Sequence, residues 1–390
     1  MVQQRSKSNK KFMVLSAIGI FMVVDHHTFT AFNIFGDFIP YNSFFMPMFV
    51  FISGYFNKVD KTTKLGAYTL KKLKTLLLPY FGISIAVLGI QWLLDLIKTG
   101  EMPSYPGGYI GYMLENVITV GTPYAMVTPM WFVITLFATL MFYAVIKKLL
   151  SKLRIWNSFV MLAIFTCAHL YVVYQAQHME DLVYPGDTNF FLLPLKILFF
   201  LPFLELGIVY RDYLEKGHTA MPGGAKIGLM FGLLLLNMVR TICLPMPYDV
   251  AFDNIDDLSG FTSPYIVTPL VSSLVGILFW LTFVELVGKP VYESRFVNFM
   301  SCNTFWIMGL HIAFFNIFNL ILLLINDNIT ELLYFDAEYF RETEWYYWEI
   351  SPGIKIAYVL IGILGPLGCK WVFDRIKQCI FRGKVKSVTD

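Results

Sequence analysis

Three ionisable residues, Asp25, His26 and His27, stand together inside the otherwise apolar stretch "FMVVDHHTFTAF". A neutral imidazole near pH 7 can take a proton from an alcohol that attacks an ester or thioester. If hydrocarbon begins at Phe12, His27 lies roughly 22 Å along a helix, past the midplane. Ionisable side chains at that depth face a bundle interior or a water-filled cavity. Ser16, Gly19, Thr30 and Asn33 form a small and polar stripe at helical spacing. His26 lies near its centre, His27 near its edge, and Asp25 points away. The competing reading is a polar cluster that only solvates the outer end of a helix.

Other polar residues sit within apolar runs. Arg240 either snorkels to headgroups or binds an anionic group. His311 is either a buried structural histidine or part of a site. Glu205 is expected to pair with Arg211 or a basic loop, and Lys196 and Glu285 to anchor span ends. Trp131 reads as packing. Ser16 and Ser53 join Arg240 and His311 as candidate substrate-binding positions. The five cysteines (Cys167, Cys243, Cys302, Cys369, Cys379) fall in or beside apolar runs or in the basic tail. They lack CxxC or Cys/His spacing, so neither a disulfide framework nor structural zinc is expected, and no metal.

The elements that must position these groups are apolar helices. Only 15% of the 390 residues are charged, against about a quarter in soluble domains. Mean hydropathy is +0.61. Ten runs approach the length that crosses a ~30 Å hydrocarbon core: 12–35, 42–57, 76–98, 129–150, 155–174, 194–210, 227–245, 265–286, 298–325 and 351–373. The basic start, "RSKSNKK", is followed by no small-residue cleavage site, so the first run reads as a retained helix. The stretches Arg5 to Lys11, Lys58 to Lys74, Lys147 to Arg154, Arg211 to Lys226, Lys289 to Arg295 and Lys370 to Lys386 hold 25 of the 30 Lys and Arg residues. They alternate with loops nearly free of positive charge. Two of those are acidic, one with Asp249, Asp253, Asp256 and Asp257, the other from Asp327 to Glu349. The positive-inside rule then puts both termini in the cytoplasm, as an even number of spans requires. Outer-loop aromatics (Tyr105, Tyr109, Tyr112, Tyr124, and Trp345 to Trp348) read as residues lying on the outer leaflet. The fold expected is an all-α integral membrane protein, one polytopic domain over 1–390 with no soluble domain.

The second apolar run, "SFFMPMFVFISGYF", is short and aromatic, with Pro47 expected to kink it and Gly54 to allow close backbone approach. It resembles the second span of the acyltransferase 3 superfamily of membrane acyltransferases, closest to the fucose 4-O-acetylase branch. That span reads like "F-H-M-P-L-F-F-F-I-S-G-Y". "LKKLKTLLLPYF", "PMWFVITLF", "FFLPFLELGIVYRD" and "NTFWIMGLHIAF" resemble further family segments, so the likeness covers most of the chain. The family's first span runs "L-R-G-L-A-I-L-L-V-V-L-x-H". Laid on "L-S-A-I-G-I-F-M-V-V-D-H-H", it puts His27 at the family histidine, with His26 beside it, and Ser16 at the family arginine. Phe45 stands where the second span has histidine. Serine lacks the charge arginine offers a phosphate or carboxylate, so Lys10 or Lys11 is expected to compensate from the cytoplasmic edge.

The resemblance implies a membrane O-acyltransferase of the bacterial plasma membrane. Its donor would be cytoplasmic acetyl-CoA or another short acyl-CoA. The charge of Lys71, Lys72 and Lys74, just before the third run, either holds the anionic nucleotide of that donor or sets topology alone. Its acceptor would be a hydroxyl of a cell-surface glycan or lipid-linked glycan precursor, with separate polysaccharide-synthesis proteins as partners and no nucleic acid. His27 or His26 would act as base, and His311 would lie in the site. The alternatives are a transporter or flippase of glycan, lipid or acyl groups using a buried His/Arg/Glu path, and an inactive sensor on the same scaffold.

Overall fold

The computed structural model describes residues 10–28, 34, 44–101, 108–119, 121–176, 188–243 and 265–386. It is helical throughout. In chain order the helices are α1 (Lys10–His26), α2 (Phe45–Tyr55), α3 (Leu65–Lys72), α4 (Leu78–Thr99), α5 (Gly108–Thr119), α6 (Trp131–Lys152), α7 (Ser158–Ala176) and α8 (Thr188–Val209). They continue as α9 (Glu215–Ala220), α10 (Gly223–Cys243), α11 (Thr268–Tyr292), α12 (Arg295–Cys302), α13 (Thr304–Asn328), α14 (Ala337–Glu342) and α15 (Pro352–Lys386). Single π turns at Leu73–Leu77 and Tyr210–Leu214 join α3 to α4 and α8 to α9.

Among the described residues, eight helical segments are long and apolar enough to cross a membrane. The first two apolar runs give something shorter. α1 has 17 residues and α2 has 11, which is ~26 Å and ~17 Å of helix against a ~30 Å core. The outer part of the first expected span, with Thr30 and Asn33, lies outside the described residues, as do Tyr105 and the acidic stretch around Asp249 to Asp257. Both short helices are enclosed by protein, so lipid thickness does not dictate their length. Nine of the eleven α2 residues and eleven of the seventeen in α1 are buried. A helix apolar on all sides belongs at the centre of a bundle. α1 touches α2, α11, α12, α13 and α15, and α2 lies along α8.

Glycine sets the closest of these contacts. A Cβ on Gly54 of α2 would sit 2.0 Å from the Leu204 carbonyl oxygen of α8, and one on Gly207 of α8 would sit 2.1 Å from the Phe51 carbonyl oxygen. The two backbones touch at reciprocal points, the small-residue packing that membrane helices favour. Lipid-facing residues lie on the outer helices, for example Phe231, Leu235 and Ile242 on α10.

Several local expectations change. Pro47 falls in the first turn of α2 rather than mid-helix. Its missing N–H has no helical partner there in any case. Lys71, Lys72 and Lys74 lie on a continuous helix from Leu65 rather than in a loop. The ninth expected span splits at Asn303 into α12 and α13, with Ser294 capping α12 through the Val297 amide. α5 arises inside an expected outer loop and exposes Ile110, Leu114 and Ile118 along one face.

Candidate functional site

α1 ends at His26, and His27 follows in the terminal turn. The His27 Nδ1–H donates to the Val23 carbonyl at 2.6 Å. α13 carries His311 to the same place, and the two imidazole centroids stand 5.0 Å apart. His311 repeats the arrangement, its Nδ1–H donating to Ile307 O at 2.9 Å. A carbonyl can only accept, so Nδ1 carries a hydrogen in each ring, and in the neutral ring the lone pair then lies on Nε2. His311 Nε2 is buried and has no hydrogen-bond partner among the described residues. An orphaned buried nitrogen is uncommon and calls for a reason. His26 stands 5.5 Å from His27 and 5.6 Å from Phe45 of α2, ring to ring. His26 and His27 are partly accessible, whereas His311 is fully buried.

α13 reaches this position because Gly309 lets it close on α4 and the turn before α6. A Cβ there would meet Ile83 at 2.6 Å and Met130 at 2.8 Å. Gly362 does the same for α15, where a Cβ would meet Phe315 at 2.5 Å and Val24 at 2.9 Å. The histidine pair therefore sits where α1, α13 and α15 converge.

Asp25, expected to point away from the polar stripe, turns to α15. Its side chain is fully buried, with Oδ1 3.1 Å from Lys355 Nζ of α15 and Oδ2 accepting the Ile34 amide at 2.9 Å. Lys355 also donates to the Asp25 carbonyl at 3.1 Å and to Thr28 Oγ1 at 2.7 Å. A helical wheel sees only one helix, and the partner came from the last one.

The aromatic segment before α15 also differs from expectation. It folds onto the bundle as a strap. Asn316 donates to Glu344 O at 2.9 Å and Asn319 to Tyr346 O at 2.8 Å, and Trp348 N donates to Tyr358 OH at 2.9 Å. Tyr358 in turn donates to Asn319 Oδ1. Gln91 of α4 holds Glu344 Oε1 at 2.8 Å. Tyr346 is buried, and Tyr347 packs against Phe315 and Tyr358. Phe315 touches His311 in turn, with ring centroids 5.6 Å apart. Tyr124 is buried beside Tyr112, while Tyr109 is exposed.

The far end of α1 holds a second polar assembly. Lys11 Nζ meets Glu215 Oε1 at 2.9 Å, Glu285 Oε1 at 2.8 Å and Tyr210 OH at 3.2 Å. Tyr55 OH donates to Glu215 Oε2 at 2.7 Å, and Lys226 lies 3.5 Å from Glu285 Oε2. Lys11 is thus committed to two carboxylates and does not stand in for the arginine missing at Ser16. Glu285 belongs to this network instead of acting as a lone anchor. Arg211 binds Asp212 and the carbonyls of Tyr55 and Asn57. Glu205 does not bond Arg211; it accepts from Tyr143, whose hydroxyl takes a bond at 3.1 Å from Lys147, the first residue of a basic stretch. Lys196 is only 1% exposed, with its ammonium 4.6 Å over the Trp131 ring. It is a core cation, not an interfacial anchor.

The remaining candidates are dispersed. Arg240 is buried on α10, with Nε donating to Asn237 Oδ1 and Nη2 to Thr241 Oγ1, both at 3.0 Å, so it does not reach out to headgroups. The Ser16 hydroxyl donates to Phe12 O at 2.8 Å, and Ser53 is half-buried on α2. Lys71 and Lys74 are exposed, and Lys72 lies over the Tyr68 ring. Among the described residues no cluster of three His, Cys, Asp or Glu has metal-ligand geometry. Sequence reasoning missed Lys355, Asn316, Asn319 and His169, the last fully buried with Nδ1–H donating to Phe199 O at 2.8 Å. Lys355 alone left a signal: it is one of five cations outside the basic stretches.

No curated protein and no solved structure matches the chain. A family model described as an acyltransferase domain matches residues 12–371, from the first turns of α1 well into α15. It takes in both histidines and every helix that packs around them. The chain belongs to the acyltransferase 3 superfamily of membrane acyltransferases, a family of acyl-CoA-dependent O-acyltransferases.

Proposed function

We propose that this enzyme moves a short acyl group, acetyl foremost, from cytoplasmic acyl-CoA to a hydroxyl of a cell-surface glycan or its lipid-linked precursor. In this reading the chain is a single domain of the bacterial plasma membrane. It crosses ten times with both termini inside, as a member of the fucose 4-O-acetylase-like branch. The observation that carries it is the facing pair of histidines, each ring oriented by a hydrogen bond from Nδ1 to a carbonyl of its own helix. His27 Nε2 takes the proton of the acceptor hydroxyl. The freed oxygen attacks the thioester carbonyl carbon, the C–S bond breaks, and the departing sulfur takes the proton from the imidazolium to leave as a thiol. His311 faces His27 at 5.0 Å, ring to ring, and lines the place where the hydroxyl is held. His26 is the neighbour whose replacement tests the choice of His27.

Outside the pair the roles are simpler. Lys71, Lys72 and Lys74 attract the anionic nucleotide end of the donor. Arg240 serves an anionic group of donor or acceptor, and Ser16 and Ser53 contact substrate. The test is acyl transfer by the purified protein, with acetyl-CoA and succinyl-CoA labelled in the acyl group and membrane glycan as acceptor. Label appearing on glycan supports the reading. No label, together with proton-coupled uptake into sealed vesicles, would replace it with the transporter.

A further inference from the structure

The Lys355–Asp25 pair has no place in the chemistry above, and neither its location nor its depth serves α15. A lysine in the first turn of a helix opposes that helix's dipole. Lys355 stands in the first turn of α15, and there is no acidic residue in that turn. Its ammonium is turned to the C-terminal end of α1, where cations are favoured. There it binds three groups of one turn: the Asp25 carbonyl, the Asp25 carboxylate and the Thr28 hydroxyl. Thr28 Oγ1 donates to the Asp25 carbonyl at 2.7 Å, closing the ring of contacts. The other Asp25 oxygen accepts from the Ile34 amide, so Ile34 is tied to the same turn. His26 and His27 are the two residues inside this grip. Gly362, seven residues after Lys355 and so on the same face of α15, seats that helix directly on Val24 of α1 and Phe315 of α13.

We infer that Lys355 and Asp25 form a positioning pair that fixes the terminal turn of α1, and with it the direction in which His27 faces His311. This rests on the reading of His27 as the base. Lys355 is then a positioning residue, acting on the reaction only through the backbone that carries His27.

The single change Lys355→Met strands a buried carboxylate and is expected to unfold much of the protein. The double change Asp25→Asn with Lys355→Met removes both charges at similar volume, keeps an acceptor for the Ile34 amide, and is expected to fold as stably as wild type. It withdraws the donor from the Asp25 carbonyl and Thr28. A displacement on the order of 1 Å at a catalytic group costs up to about a hundredfold in rate. The double variant is therefore expected to lose about tenfold to a hundredfold in kcat for acyl transfer, with KM for acyl-CoA within about twofold. Lys355→Arg, which keeps the cation, is expected to recover part of kcat. A pair that only stabilises the fold predicts wild-type kcat in the folded double variant, and that result overturns the inference. So does a matching rise in KM with kcat unchanged. A His27→Ala control separates the two layers. If it retains full transfer, the reading of the base falls. If it loses transfer while the double variant does not, the base stands and the positioning pair falls.

Discussion

The crossing of α2 and α8 allows a sharp test, because its prediction has a sign as well as a size. Gly54→Ala would put a methyl group 2.0 Å from the Leu204 carbonyl oxygen, where ordinary contact starts at 3.4 Å. The obstacle is backbone, so no side chain can rotate away. Relieving it means parting the helices by about 1.4 Å, and a gap of roughly 0.5–1 Å already forfeits a quarter to a half of each contact's dispersion energy. The residues at the crossing, Phe51 on α2 and Leu204 on α8, are both buried. Overpacking of this kind costs about 1–3 kcal/mol or more, and the rigid obstacle puts Gly54 at the upper end. Better helix propensity returns about 1 kcal/mol. The net expectation is roughly 2 kcal/mol of destabilisation, and Gly207→Ala should behave alike. Gly228→Ala and Gly232→Ala on α10 serve as the control, since a Cβ at either position meets nothing within 4 Å. They should be neutral or slightly stabilising. The assay is thermal unfolding of the detergent-solubilised protein, followed by loss of the monodisperse peak on size exclusion. If Gly54→Ala and Gly207→Ala melt at or above wild type while the α10 controls do the same, the close crossing is wrong.

Other outcomes follow from the same geometry. Lys11→Met should cost roughly 2–3 kcal/mol, less than a fully buried orphaned charge because Glu215 keeps some contact with water; an unchanged melting temperature would refute the network. Asn319→Leu removes the donor to Tyr346 O and the acceptor for Tyr358, so hydrogen exchange over residues 343–350 should rise, and exchange as slow as wild type would show that the strap is held by other means. Lys71→Glu with Lys74→Glu should raise KM for acyl-CoA several-fold at low salt and lose the difference at high salt, as screened surface charges require. A KM unchanged at low salt removes these lysines from donor binding.

The helical scaffold was largely legible because hydropathy registers long lipid-crossing segments directly. Hydropathy says least about a helix that is enclosed by protein rather than lipid. α2 is half a membrane thick, and its start at Phe45 has no side-chain cap to mark it, so Pro47 was misplaced within it. α3 was hidden because charge reads as loop, although a basic amphipathic helix carries the same residues. Trp345 to Trp348 were ambiguous in principle, since aromatic and hydrogen-bonding character suits both an interface and a strap pinned by Asn316 and Asn319. His27 and His311 were each visible as ionisable residues in apolar runs, but their 5.0 Å separation depends on the packing of α1 against α13. Lys355 was visible as an isolated cation, yet its partner lies 330 residues away in sequence.

The most direct measurement of the central claim is the rate of label transfer from acyl-CoA to membrane glycan by folded His27→Ala, alongside His26→Ala and His311→Ala. Loss of a general base should lower kcat by about a hundredfold or more in His27→Ala, with His26→Ala much closer to wild type and His311→Ala between them. A folded His27→Ala that transfers label within a few-fold of the wild-type rate contradicts the assignment of this histidine as the base.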